Sequence, residues 1–338
     1  MHTVDPVSRF IPARDGLMLH VRCYGEHNNA LPVICLPGLT RTTADFDAVA
    51  LALADHVIHP RRVIALDYRG RGQSGYDPNP ANYSLPVDLA DVMTVLTTLA
   101  ACPAVFIGTS SGGILTMLLA TLRPDAIAGV VLNDIGPVIE PEGLMRVRSY
   151  VGKLRQPNNL VEAADILRGI FGTAFTKLSA DDWLANARRT FKEEDGRLVP
   201  TYDVKLAKTF EAIDFRLLPS LWMAFDKLVN VPVMLIRGAN SDLLSAATVE
   251  LMCRHHPSLE VIEVPDQGHA PLLSAPDLVE RIVEFVACVP PLQRKRNKLI
   301  NIKLLMFNAF VKYKLRPKRW SRLSEQNLRV DKWSVCRG

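Results

Sequence analysis

The stretch Ala104-Val105-Phe106-Ile107-Gly108-Thr109-Ser110-Ser111-Gly112-Gly113 carries an unbroken apolar run into a glycine-flanked serine, and helix-forming residues follow as far as Leu122. Four consecutive apolar residues are too few for an amphipathic helix and too uniform for a strand with one wet face, so Ala104 to Ile107 reads as a buried parallel strand. A strand, a sharp turn and a helix are the setting that G-x-S-x-G requires. There the glycines let backbone segments approach closely, and the strained turn lifts the serine hydroxyl above the sheet edge. A plain Gly/Ser turn needs no such setting. Ser110, at the motif's centre, is the candidate nucleophile; Ser111, one place further on, offers its backbone N–H instead.

Similar runs surround this one at Pro32 to Leu36, Arg62 to Leu66, Gly129 to Leu132, Val231 to Ile236 and Leu259 to Val264. Helical patterns lie between most of them, at Asp45 to Asp55, Val87 to Ala100, Gly113 to Leu122, Ala246 to His255 and Asp277 to Val286. This alternation predicts a doubly wound α/β sheet. The turn signal Ala13-Arg14-Asp15-Gly16 between two short alternating runs predicts an opening hairpin. One connection breaks the rhythm: about ninety residues separate two strands where a crossover needs about a dozen. The expected organisation is an α/β core in two parts, 1–135 and 229–289, a helical cap inserted at 136–228, and a basic, poorly ordered extension at 290–338.

A serine hydroxyl attacks only when a base takes its proton and a carboxylate orients that base. His269, in Asp266-Gln267-Gly268-His269-Ala270-Pro271 after the last strand, is placed to be the base. Asp242, in Gly238-Ala239-Asn240-Ser241-Asp242 after the strand Val231 to Ile236, is the expected acid, and Ser110, Asp242, His269 is the chain order this chemistry uses on such sheets. Asp134, which also follows a strand, is the alternative acid. The remaining histidines, His20 among them, read as surface or structural residues. Two N–H donors must face the oxyanion of a tetrahedral intermediate, and Leu39, freed by Gly38, joins Ser111 as the expected pair. Gly70-Arg71-Gly72-Gln73-Ser74-Gly75 fits G-x-G-x-x-G, but Tyr76-Asp77-Pro78-Asn79-Pro80 prevents the helix that a dinucleotide site opens there.

With these residues in place the chain resembles the α/β-hydrolase superfamily, and more closely its capped bacterial branch with a hydrolytic serine. The matching pieces are Leu36-Pro37-Gly38-Leu39-Thr40-Arg41, Asp67 to Ser74, Gly108 to Gly113, Leu132-Asn133-Asp134-Ile135-Gly136-Pro137, Gly238 to Asp242 and Gly268-His269. The resemblance implies a mostly parallel sheet with an inserted cap and an acyl-enzyme mechanism without cofactor or metal. Some relatives place the acid near Asp134. Pro37 stands where many relatives have His, which removes a supporting hydrogen bond beneath the oxyanion loop. The expected function is hydrolysis of an ester, thioester or lactone of a small or medium-sized molecule. C–C bond hydrolysis and acyl transfer use the same triad and stay open, as does, in another class, a non-catalytic binding protein on this fold.

Composition supports a globular chain: 338 residues, 48% hydrophobic and 22% charged, without the bias of disorder or coiled coil. The net charge of +5 is unevenly spread. Beyond Val289 there are 14 Lys and Arg against 2 Asp and Glu, leaving 26 against 33 before it. With the body acidic, the basic overall charge is no sign of nucleic-acid binding by the main domain; a small-molecule substrate and no nucleic-acid partner are expected. Contact of the basic tail with a membrane surface is weighed and not favoured over a solvated extension. The six cysteines, Cys23, Cys35, Cys102, Cys253, Cys288 and Cys336, show neither C-x-x-C nor zinc spacing, and no secretory or membrane-spanning segment is visible, so a cytoplasmic location is expected. Oligomeric state and substrate identity stay open.

Overall fold

Short apolar runs that are buried on both faces must have helices on both sides, and the architecture follows from that requirement. The computed structural model describes residues 5–211, 214–215 and 218–290. The hairpin of β1 (Val7–Pro12) and β2 (Met18–Tyr24) pairs antiparallel around a turn in which Gly16 takes a φ of +88°. Then come β3 (Val33–Leu36), α1 (Asp47–Ala54), β4 (Val63–Leu66), α2 (Leu85–Thr98), β5 (Ala104–Thr109), α3 (Ser111–Leu122) and β6 (Ile127–Asn133). After the insertion, β9 (Val233–Gly238), α9 (Ala246–His255), β10 (Glu260–Val264) and α10 (Pro276–Cys288) complete the described chain. The eight strands lie in the order β1-β2-β4-β3-β5-β6-β9-β10, and β2 alone runs against its neighbours.

Side chains alternate across a strand, so each central strand feeds two cores. Ile34, Leu36, Ile64, Leu66 and Phe106 point into the core beneath α2 and α3, together with Leu89, Val92, Leu115 and Leu119. Val33, Cys35, Val63, Ala65, Val105 and Ile107 point the other way, against Val49 and Leu53 of α1 and Ile282 and Val286 of α10. Truncating one of the larger of these side chains costs about 3–5 kcal/mol. The edge strand β10 is only half buried, as an outer position allows.

The insertion holds α4 (Pro141–Tyr150), α5 (Leu160–Phe171), α6 (Ala180–Thr190), the hairpin β7 (Phe191–Glu194) with β8 (Arg197–Pro200), α7 (Leu206–Glu211) and α8 (Trp222–Phe225). A small core of its own, with Leu167, Phe175, Trp183, Ala187 and Phe191, holds α5 and α6 together. The hairpin differs from the all-helical expectation. Its turn is Asp195-Gly196, both residues at positive φ, a pair suited to a tight hairpin, but the charged flanks Lys192-Glu193-Glu194 hid the strand pattern. Backbone bonds from Gly72 N to Thr201 O (2.7 Å) and from Asp203 N to Gly70 O (2.7 Å) join the insertion to the loop after β4. Further along, Ala224, Phe225 and Leu228 pack in the larger core beside α3. Among the described residues no helix is long and apolar enough to cross a membrane; the tail segment weighed for lipid contact lies outside them.

Candidate functional site

At the end of β5 the chain must reverse into α3 within one residue, and Ser110 occupies that point at φ +52°, ψ −116°, a conformation that strains a residue with a Cβ. The turn is pinned from both sides: Ser110 N donates to Asn133 O (3.0 Å), and Ser110 O accepts from Gly113 N (2.9 Å) and Ile114 N (3.1 Å). Glycine is required beside it. A Cβ on Gly112 would lie 2.0 Å from Leu36 O, and one on Gly108 would lie 2.6 Å from Gly113 N.

His269, in the loop after β10, reaches across the carboxyl edge of the sheet and places Nε2 2.8 Å from Ser110 Oγ. The loop is tied down by Asn133 Nδ2 donating to Pro271 O (3.0 Å) and by Leu272 N donating to Gln267 Oε1 (2.9 Å). His269 Nδ1 lies 2.8 Å from Asp134 Oδ2. Asp134 directly follows β6, the strand beside β5, at φ +55°. Its carboxylate is fully buried and also accepts from Gly238 N (2.8 Å) and Ser241 Oγ (2.6 Å).

The expectation that Asp242 orients His269 is therefore corrected: the alternative acid, Asp134, occupies that position. The loop after β9 turns Asp242 outward to α4, where Arg146 donates to it through Nε and, at 2.8 Å, through Nη2. Burial works against ionisation of Asp242, but the Arg146 guanidinium outweighs it and holds the carboxyl below its ordinary range. The same loop still serves the site, because Ser241 and Gly238 both donate to Asp134. Ser241 lies within Gly238-Ala239-Asn240-Ser241-Asp242, where an uncharged hydroxyl beside an aspartate carries no local signal of this role.

Leu39 lines the same cavity as Ser110, and Ser111 follows Ser110 in the chain. Among the described residues neither backbone N–H has an acceptor. The loop that carries Leu39 is braced by Arg71 Nε donating to Leu39 O (3.0 Å), and Ser111 Oγ lies 3.4 Å from Pro37 O. Arg71 belongs to the G-x-G-x-x-G segment, which opens no helix; the next α-helix begins at Leu85. Around Ser110 and His269 lies a cavity of about 140 Å³, walled by the Gly38–Arg41 loop, by Val147, Tyr150, Leu154, Leu167, Phe171 and Phe175 of the insertion, and by Ala270 to Ser274. Trp183 and Phe191 sit in the insertion's own core, and Trp222 stacks on His255 at 4.3 Å, away from the cavity.

His20, read as structural, is fully buried and has a chain of its own: Nδ1 lies 2.7 Å from Asp67 Oδ2 and Nε2 lies 2.9 Å from Ser8 Oγ.

Comparison with known proteins gives this geometry a context. A sequence profile described as the Alpha/beta hydrolase family matches residues 33–282. The chain is similar to 3-hydroxybutyrate-oligomer hydrolase of Cupriavidus necator, at 31% identity over 84% of this chain and 98% of that protein. It is also similar to 2-(acetamidomethylene)succinate hydrolase of Mesorhizobium japonicum, at 28% identity over 74% of this chain and 85% of that one. Among solved structures, an alpha/beta hydrolase from Novosphingobium aromaticivorans superposes with a TM-score of 0.77 at 39% identity, covering 83% of this chain and 99% of that one. A parallel sheet, a serine at a strained strand-to-helix turn and a profile match over most of the chain lead to one conclusion: the protein belongs to the alpha/beta hydrolase family.

Proposed function

We propose that the protein is a carboxylic-ester hydrolase that works through an acyl-enzyme on Ser110. The observation that carries this reading is the unbroken hydrogen-bonded chain from Ser110 Oγ through His269 to the buried Asp134, at 2.8 Å for each link. Asp134 is held by two other donors and accepts a third hydrogen from His269 Nδ1, which leaves Nε2 as the acceptor facing the serine. Ser110 Oγ gives its proton to Nε2 and bonds to the carbonyl carbon. The carbonyl electrons move onto oxygen, where the Leu39 and Ser111 N–H groups stabilise the charge. His269 then returns the proton to the departing alcohol, leaving an acyl group on Ser110. Water repeats the sequence, with His269 as its base, and releases the acid. Ester and water become acid and alcohol, with nothing else consumed.

An ester is favoured over a thioester or lactone by the relatives' names: one acts on 3-hydroxybutyrate oligomers, and an Escherichia coli protein 26% identical over 76% of this chain is called an esterase. A fluorophosphonate probe followed by intact mass tests the reading. One adduct on the wild-type chain, mapping to Ser110 and absent from Ser110→Ala, is expected, together with hydrolysis of 4-nitrophenyl butyrate. An unlabelled, folded wild-type chain would sink the proposal in favour of a binding protein on this fold.

A further inference from the structure

Part of the cavity wall, where the Gly38–Arg41 loop meets α6 of the insertion, carries two guanidiniums against one carboxylate. Arg41, immediately after the Leu39 loop, donates Nε and Nη2 to Asp45, each at 2.6 Å, and also reaches Thr190 Oγ1 (2.9 Å) and Asn186 Oδ1 (3.1 Å). Four of its five N–H groups are thereby used, and Arg41 and Asp45 neutralise each other. Arg189, in the last turn of α6, reaches that carboxylate only at long range, with Nε 3.5 Å from Asp45 Oδ1, the oxygen that also accepts from Arg41 Nη2. Among the described residues its remaining donors have no acceptor. Asp47 and Asp182 also attract it, but Asp47 is held by Arg22 and the Tyr24 hydroxyl, and Asp182 by Ser179. Its side chain is 22% exposed, and burial, with the nearby Arg41 charge, pulls its pKa below the usual arginine range.

Among the residues that line the cavity, Arg41, Arg189 and Asp45 together carry one net positive charge, beside apolar wall formed by Leu154, Leu167, Phe171 and Phe175. Arg41, Asp45, Arg189, Ser110 and His269 all line this cavity. The stem of Arg41 lies close to the nucleophilic turn: the position of a Cβ on Gly38 is 3.3 Å from Arg41 Cγ and 3.7 Å from Ser110 Cβ. A half-buried, underused guanidinium is costly unless an anion completes it, and its planar fork matches the two oxygens of a carboxylate. A single excess charge suits a monoanion better than a phosphate dianion.

We infer that Arg189, held in place by the Arg41–Asp45 pair, anchors a carboxylate on the substrate, so that the esters taken by this site carry a free acid group. The inference rests on the ester reading for the bond that is cleaved, and its test is independent of turnover. Binding to the Ser110→Ala chain is measured by calorimetry for two probe pairs: monomethyl glutarate, with the acid on the acyl side, and 3-acetyloxybutanoate, with the acid on the alcohol side, each against its carboxamide. At least one acid should bind tenfold or more tightly than its amide. Adding Arg189→Gln should reduce that ratio below about threefold, since each tenfold is about 1.4 kcal/mol. Failure of both acids to outbind their amides, or a preference that survives Arg189→Gln, overturns the inference. Should Arg189→Gln not fold, Arg189→Lys serves in its place: it keeps the charge without the fork and must still weaken acid binding, and unchanged binding overturns the inference as well. If acids are preferred while wild-type Ser110 takes no fluorophosphonate, the anchor stands and the ester reading falls.

Discussion

Two Ser–His–Asp chains run through this molecule with nearly the same bonds. Ser110, His269 and Asp134 are linked at 2.8 and 2.8 Å, and Ser8, His20 and Asp67 at 2.9 and 2.7 Å. Even the carboxylates match: Asp134 accepts from Gly238 N and Ser241 Oγ, while Asp67 accepts from Thr43 N (2.7 Å) and Gln73 N (3.1 Å). What surrounds the serine separates them. Ser8 lies in the regular strand β1, exposed and in register with Arg22, and lines no part of the cavity. Ser110 sits at a strained turn on the cavity wall, near Leu39 and next to Ser111, whose backbone N–H groups have no acceptor among the described residues. The hydrogen-bond pattern orients a histidine in both places, but of the two serines Ser110 alone lines the cavity, and the proposed chemistry needs that space for a carbonyl and nearby donors for its developing charge.

The largest expected effect tests that distinction directly. Ser110→Ala should lower kcat for 4-nitrophenyl butyrate by about 10⁶-fold, as loss of a nucleophile does, whereas Ser8→Ala should leave it within twofold. A Ser8→Ala chain that loses turnover while still folded would erase the contrast. Next in size, Asp134→Asn should cost about 10⁴ in kcat, and Asp242→Asn less than about tenfold. The reverse ranking in steady-state assays would return the acid's role to the loop after β9.

The second chain should show itself in stability. Removing one partner of the buried His20–Asp67 pair, as in His20→Gln, should destabilise the fold by about 3 kcal/mol, read from urea unfolding, with little change in kcat per folded molecule. A smaller effect is expected at Ser241. Without its hydroxyl Asp134 loses one of three donors, and Ser241→Ala should lower kcat about tenfold with KM nearly unchanged.

The smallest effect belongs to Asp242. Its carboxyl is held below the ordinary range when folded, so the ion pair with Arg146 contributes above the unfolded value and is lost as pH falls through the folded one. Asp242→Asn should therefore cost up to about 1 kcal/mol near pH 7, and the difference from wild type should shrink as pH falls below the ordinary carboxylate range and vanish once the folded carboxyl is protonated. A gap that persists in acid would mean that packing, not charge, is what Asp242 supplies.

The sequence by itself determined the parts whose signals are local. Apolar runs of four to six residues, the glycines around Ser110 and the turn at Gly16 each constrain their own few residues, and the strands, helices and strained turn fall where those signals place them. The histidine that meets Ser110 was legible for the same reason, since His269 follows the last strand of the sheet. The insertion's hairpin was less so, because charged flanks obscured an Asp-Gly turn. The acid was decided only by the tertiary structure. Asp134 and Asp242 both stand just beyond strand ends, and chain order favours Asp242, but the carboxylate that meets His269 depends on how two neighbouring loops leave the sheet. Arg146, from α4 in the insertion, draws Asp242 away, while Ser241 and Gly238 close around Asp134. Arg189 and Asp45 likewise stand 144 positions apart, and only the packed insertion brings their charges to one wall.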